Sequence, residues 1–278
     1  MSQESGISGI AQNLLNLLNL MIPQLQKYKN VEKLSLPPEP PEDWLMKPGT
    51  ITKGGRSNNY EIMGRVLAYV YFTLAYGAND PRLIYWRNVL IDEFKRQENE
   101  WMVAEQCAPD PHAGMWAGAI FVCFMAANYF NDTQILEMVS SWISKYLFIC
   151  KNLSTSNGEV YSPCCNSRED KPYQKIMSSI WRLYSGRKLV KVPPIDNIKD
   201  DRYWTGFVAS YYCNVQLKAV QISSSIPKMR CPLFIQRTGN GYRAFLQSPQ
   251  NGQVNDSWVC NEVVVENDNL VSVKKAWA

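Results

Sequence analysis

An α+β fold, helical hairpins followed by a small antiparallel meander, is what this 278-residue sequence predicts, and three observations predict it. Between Tyr60 and Ser185, apolar residues recur at three- and four-residue steps. Asp-Pro and Gly signals punctuate those runs where helices start and stop. Past Val192-Pro193-Pro194 the hydrophobic period shifts towards two. With 46% hydrophobic and 12% aromatic residues, the chain has enough apolar surface for one large or two modest domains.

Residues 1–35 read as an amphipathic helical arm. Ile10, Leu14, Leu17, Leu18, Met21 and Leu25 fall on one stripe of a helix between Ile7 and Tyr28, with Asn13, Asn16 and Asn19 interspersed and Pro23 dividing or kinking it. A segment of this kind is not stable alone, so it packs on its own domain or on a partner. Homo-oligomerisation through residues 7–28 is the second of those expectations. Residues 36–57 form a connector, because Leu36-Pro37-Pro38-Glu39-Pro40-Pro41-Glu42 favours stiff polyproline geometry.

Residues 58–190 read as a helical-hairpin domain. A helix from Tyr60 to Tyr76 ends at Gly77, suited to a left-handed cap, and Asp80-Pro81 opens the next, through about Glu98. Asp110-Pro111 repeats the start signal for an apolar helix to Phe130, Asn131 or Asp132 caps another to Cys150, and a shorter helix from Pro172 to Ser185 stops at Gly186 after the Asn157-Gly158 turn. Helices 60–76 and 112–130 are apolar on most faces and are expected inside; 81–98 and 133–151 are amphipathic and are expected outside. Residues 191–278 read as an antiparallel β domain of four or five strands. It includes an alternating stretch at Asn214–Ile222, strands Leu233–Arg237 and Tyr242–Gln247 about Asn240-Gly241, and strands Trp258–Glu266 and Leu270–Trp277 about Asn267-Asp268-Asn269. Asn251-Gly252 reads as a further turn. Periodicity leaves Tyr203–Cys213 open between strand and helix.

The unit of apolar helix, short Asn/Asp-rich turn and amphipathic helix over residues 58–186 resembles the repeat of the α/α-toroid folds found in many glycan-processing enzymes. The resemblance is one of architecture, with no motif matched, and the chain is too short for a complete six-hairpin toroid. It implies a partial toroid with the N-termini of its inner helices gathered at one rim. That rim would carry Asn58, Asn59, Tyr60 and Glu61, then Glu105, Asp110, His112 and Trp116, then Tyr161, Arg168 and Tyr173. Helix N-termini there would present free N–H groups to anionic or hydroxyl-rich ligands.

Two chemistries fit those residue types. His112, the only histidine, would be kept neutral by a helix N-terminus and so be able to act as a base. Glu61, Glu105, Asp110 and Glu159 are carboxylates available for glycoside cleavage. A β-eliminating lyase would instead use Tyr60, Tyr161 or His112 as base, with Asn59 or Arg65 neutralising a uronate. Trp101 and Trp116 are candidate sugar platforms, whereas Trp142 and Trp181 sit at helical spacing and read as core. Against each functional role stands a structural one: Asp110 as an N-cap, Glu61 as a dipole partner, His112 as a hydrogen-bonded neighbour.

Other classes are disfavoured. The net charge of +4 is spread without a basic block, which argues against nucleic acid. No apolar run approaches the roughly 20 residues of a membrane span, and the N-terminus lacks a signal-peptide pattern, so cytoplasmic synthesis is expected, with incorporation into an assembled particle as an alternative fate. Cys107, Cys123, Cys150, Cys164, Cys165, Cys213, Cys231 and Cys260 make no C-x-x-C pair and have no histidine partner, so reduced thiols and no metal are expected. The sequons at Asn131, Asn152 and Asn255 add little without a sign of secretion. Nucleotide-binding loops and a serine-nucleophile elbow are absent, and no cofactor is expected. The leading expectation is a carbohydrate-recognising protein with an aromatic and polar groove, extending to glycan cleavage by a lyase or hydrolase. The rival is a non-catalytic structural protein of a multisubunit particle such as a virion or tail, whose arm and β edges contact other subunits.

Overall fold

The computed structural model describes residues 12–14, 16–17, 66, 69–70, 73, 79–100, 113–163, 170–189, 204–225, 233–246 and 260–275. Its helices are α1 (Pro81–Glu100), α2 (Ala113–Phe130), α3 (Thr133–Asn152), α4 (Asp170–Tyr184), α5 (Trp204–Tyr212) and α6 (Asn214–Ala219). They are followed by strands β1 (Leu233–Thr238), β2 (Gly241–Leu246), β3 (Cys260–Glu266) and β4 (Asn269–Lys275). Residues 12–14, 16–17, 66, 69–70 and 73 are helical as well. The fold is α+β, as the change of period predicts. No helix among the described residues is long and apolar enough to cross a membrane.

The chain divides into two compact units whose boundaries cut across its sequence. One comprises Met1–Arg96, Met115–Ser140 and Val192–Cys213; the other comprises Gln97–Gly114, Ser141–Lys191 and Asn214–Ala278. In the first unit, every residue of α2 from Ile120 to Ala127 is buried, so this helix is covered on all sides. By contrast, α1 buries Leu83, Trp86, Leu90, Ile91 and Phe94 while Ile84 and Tyr85 face solvent, the one-sided burial expected of an amphipathic helix. Leu14, Leu17, Val66, Tyr69 and Val70 join this core.

One cluster fixes the α2–α3 turn in that unit. Asn131 adopts φ 55°, the left-handed conformation that asparagine tolerates, and the N–H of Asp132 bonds Ala127 O at 2.9 Å. Asp132 then caps α3: its Oδ1 accepts the Ile135 N–H at 3.2 Å, and its carbonyl accepts that of Leu136 at 2.9 Å. Asn131 therefore ends one helix and Asp132 begins the next. The same carboxylate receives both arms of Arg87, at 2.5 and 2.7 Å, and the Tyr69 hydroxyl at 3.2 Å. Tyr69 packs edge-on against Phe130.

The second unit carries the later part of α3, then α4, α6 and the sheet, whose strand order is β1-β2-β3-β4 with every neighbour antiparallel. Among the described residues four strands form, within the expected range. Leu233, Tyr242, Ala244, Val263 and Val265 are buried, and the register places Tyr242 opposite Val265 and Ala244 opposite Val263 on one face. The first hairpin departs by one residue from the expected turn. Gly239 and Asn240 form the loop, with φ 51° at Gly239, and Gly241 already pairs with Thr238. Gly241 serves a different need, since a Cβ there would come within 2.1 Å of Val265 O. Asn267 and Asp268 at φ 49° and 63° form the two-residue turn between β3 and β4.

Two sequence expectations are settled differently from a β reading. Tyr203–Cys213 contains helix α5. Asn214–Ile222, expected to alternate as a strand, contains helix α6, because its buried residues Leu217 and Val220 lie three apart while Val215 is 74% exposed. The turn expected at Asn251-Gly252, the Gly77 cap, the Asp110-Pro111 start and the proline connector lie outside the described residues.

Candidate functional site

The second unit contains an open cleft of about 630 Å³ lined by Ser156, Asn157, Glu159, Arg182, Arg187, Lys188 and Leu189. Its floor is the turn that follows α3. Ser154 and Val160 bridge antiparallel, and the Thr155 N–H bonds Glu159 O at 2.8 Å. Between them the Gly158 N–H bonds Thr155 O at 3.0 Å, with Gly158 at φ 82°. The turn is tied to α4 by the Val160 N–H, which donates to the buried Ser178 Oγ at 2.9 Å. It is tied to the sheet by Asp268, whose carboxylate accepts both the N–H and the hydroxyl of Ser156. Those hydrogen bonds hold the Asp268 carboxyl below its usual range.

The wall of the cleft is the end of α4. Gly186, at φ 72°, closes the helix with paired bonds from Gly186 N to Leu183 O (3.3 Å) and from Arg187 N to Arg182 O (2.8 Å), which fixes where the chain leaves the helix. Arg182 on the last turn pairs with Glu159 across the cleft. Both arginine stems lie against Gly158: a Cβ on that residue would come within 2.9 Å of Arg187 Cδ and 3.0 Å of Arg182 Cγ. Arg187 and Lys188 are exposed and have no carboxylate partner among the described residues. The described lining thus presents three cations against one carboxylate.

Beneath it, the sheet clamps the α3 terminus. Arg237 donates to the carbonyls of Lys151, Asn152 and Ser154 at 3.2, 3.0 and 3.2 Å, satisfying groups left open by the end of the helix. The Tyr242 hydroxyl lies 2.6 Å from Leu153 O and 2.8 Å from Tyr161 O, sharing its one proton between them, and accepts the Tyr161 N–H at 3.2 Å. The Arg237 guanidinium also sits 5.4 Å from the centre of the Tyr242 ring.

Of the rim residues expected from sequence, Asn58, Asn59, Tyr60, Glu61, Trp101, Glu105, Asp110, His112 and Arg168 lie outside the described residues. Trp116 and Tyr173 fall in the first turns of α2 and α4, and their side chains lie outside the described set. Tyr161 is placed by the Tyr242 clamp. Burial, with the charge of Glu159, pushes its phenol above the usual range against the pull of Arg182, which makes the phenolate a base needs scarcer at neutral pH. Glu159 lies in the cleft. The cleft residues missed from sequence are Ser156, Asn157, Arg182, Arg187, Lys188 and Leu189; the Asn157-Gly158 turn and the Arg-Lys pair directly after the Gly186 stop are their local signals.

Cys123, Cys150 and Cys213 are buried free thiols whose pKa values burial drives upward, which keeps the nucleophilic thiolate scarce. Trp142 and Trp181 are buried as expected. No group of three or more metal-ligating side chains occurs among the described residues. No protein-family model, curated protein or solved structure matches this chain.

Proposed function

We propose that this chain is a carbohydrate-recognising protein and that the cleft over Gly158 is its binding site. One observation carries the reading: a cleft of about 630 Å³ walled by hydroxyl, amide, carboxylate and cationic side chains. Its volume falls inside the roughly 300–1,000 Å³ range of small-ligand clefts, and the hydroxyl, amide and charged groups among its lining residues can hydrogen-bond a hydroxyl-rich ligand. Among the described residues Glu159 is the one carboxylate lining it, and it is engaged by Arg182, whereas glycoside cleavage needs a pair. Recognition, not cleavage, is therefore the function proposed for this cleft. The reading of the helical hairpins of residues 58–186 as toroid-like repeats belongs to the same proposal.

A glycan-array screen of the full chain beside Asn157→Trp tests it. Asn157 is exposed in the turn, so the indole blocks the cleft at little cost to folding. Glycan binding that disappears in the variant, with the melting temperature unchanged, is the expected result. An array with no bound glycan, or with hits indifferent to the substitution, sinks the reading.

The rival, a structural protein of a multisubunit particle, is favoured by the sheet. Phe234 and Phe245 stack at 4.9 Å while 44% and 40% exposed, and Leu270, Val271 and Val273 are exposed on strand β4 at the edge of the sheet. Exposed apolar edges are templates for pairing with another chain. Light scattering that finds a monomer at every concentration would remove self-assembly through this sheet.

A further inference from the structure

We propose that the cleft takes its ligand by an anionic group, a carboxylate or sulfate carried on the saccharide, bound between Arg187 and Lys188. The inference rests on the glycan reading of the same cleft and adds the ligand's charge. Arg182 is already neutralised by Glu159, which leaves the other two cations to set the field of the cleft. Their backbone is fixed, because the Arg187 N–H is locked to Arg182 O by the Gly186 stop. The Arg187 stem rests against Gly158, where the missing side chain leaves room for it. A stem held at its Cδ loses less rotamer freedom on binding than a free one, so more of the guanidinium's charge-assisted hydrogen bonding appears as affinity.

Glu159 gives the site a second property. It shares the cleft with the incoming anion and occupies Arg182, so it opposes binding twice, by repulsion and by competition. Removing its charge frees a third cation. Nucleic acid is the rival polyanion, since paired cations also receive backbone phosphates.

Calorimetric titration of the full chain with dextran sulfate, dextran, inorganic sulfate and a single-stranded DNA oligomer decides the matter. Dextran sulfate is expected to bind about tenfold or more tightly than dextran, and Arg187→Gln with Lys188→Gln to lose about that factor, the scale of one or two charge-assisted hydrogen bonds. Glu159→Gln is expected to tighten binding. Opposite changes from two variants of one cleft cannot come from general unfolding. Equal binding of dextran and dextran sulfate, unaffected by the double variant, overturns the anionic preference and leaves the glycan reading standing. Binding of neither polymer overturns both. Inorganic sulfate binding as tightly as the polymer overturns the saccharide part, and preference for DNA overturns the proposal in favour of nucleic acid.

Discussion

Asp132 concentrates three duties in one side chain: it caps α3, neutralises Arg87 and accepts from Tyr69. Burial alone raises its pKa. The Arg87 fork, the Ile135 N–H and the Tyr69 hydroxyl together outweigh burial, so the carboxyl titrates below its ordinary 3.8. A depressed folded pKa means that the contribution is fully present above the unfolded value and is lost as the pH falls through the folded one. Asp132→Asn keeps a competent cap but removes the charge opposite Arg87, which retains its bond to Gln134, and is expected to cost about 1–2 kcal/mol at neutral pH; Asp132→Ala removes the cap too and should cost about 3 kcal/mol. Chemical denaturation at pH 7 and again below pH 3 checks this, because the gap between wild type and Asp132→Asn should close in acid. A gap that persists there would mean that the carboxylate charge was not what stabilised the turn.

At the scale of elements, the α3 terminus depends on the sheet. Tyr242→Phe removes the hydroxyl bonded to the Leu153 and Tyr161 carbonyls, but the Tyr161 N–H stays bonded to Leu153 O at 3.0 Å, so the expected cost is about 1 kcal/mol, that of the bond lost by the Tyr161 carbonyl. Arg237→Ala should cost about 1 kcal/mol, since its carbonyl partners lie nearer solvent. Hydrogen exchange localises both effects: amides 153–161 should lose protection before those of α2. Gly158→Ala is expected to cost about 1–2 kcal/mol from its positive φ alone, and more as Arg187 and Arg182 are pushed aside. Its melting curve should shift while α2 keeps its exchange protection. What the sequence revealed at this scale was what chemistry keeps local. The Asn131-Asp132 junction and the Gly186 stop were legible because capping is decided within a few residues. The cleft was not, because Glu159 and Arg182 are brought together by the Ser178 hydroxyl and by Gly158, neither of which announces a partner in sequence. Helix α6 was misread for a related reason: exposed Val215 imitated one tooth of an alternating strand, while Leu217 and Val220 carried the helical spacing.

At the scale of the whole molecule, the open question in the sequence was whether the N-terminal stripe serves the chain itself or another copy. Leu14 and Leu17 are both 0% exposed within a single chain, and the first unit gathers Met1–Arg96 with α2 and α5. Two stripe residues are thus already covered without a second copy, and an amphipathic segment whose apolar face is spent at home has less left to offer a partner. The consequence separates two outcomes that a simple truncation would blur. Leu14→Ala and Leu17→Ala, made singly, are each expected to lower stability by about 2–5 kcal/mol, the range for emptying a leucine site in a packed core. Neither should change the mass measured by size-exclusion chromatography with light scattering at concentrations where the variant remains folded. If a wild-type oligomer instead dissociates to a stable monomer in either variant, the stripe is an interface. The assembly reading would then gain an element of support that the exposed β edge alone does not supply, and the cleft would have to be tested as a feature of a subunit within a particle.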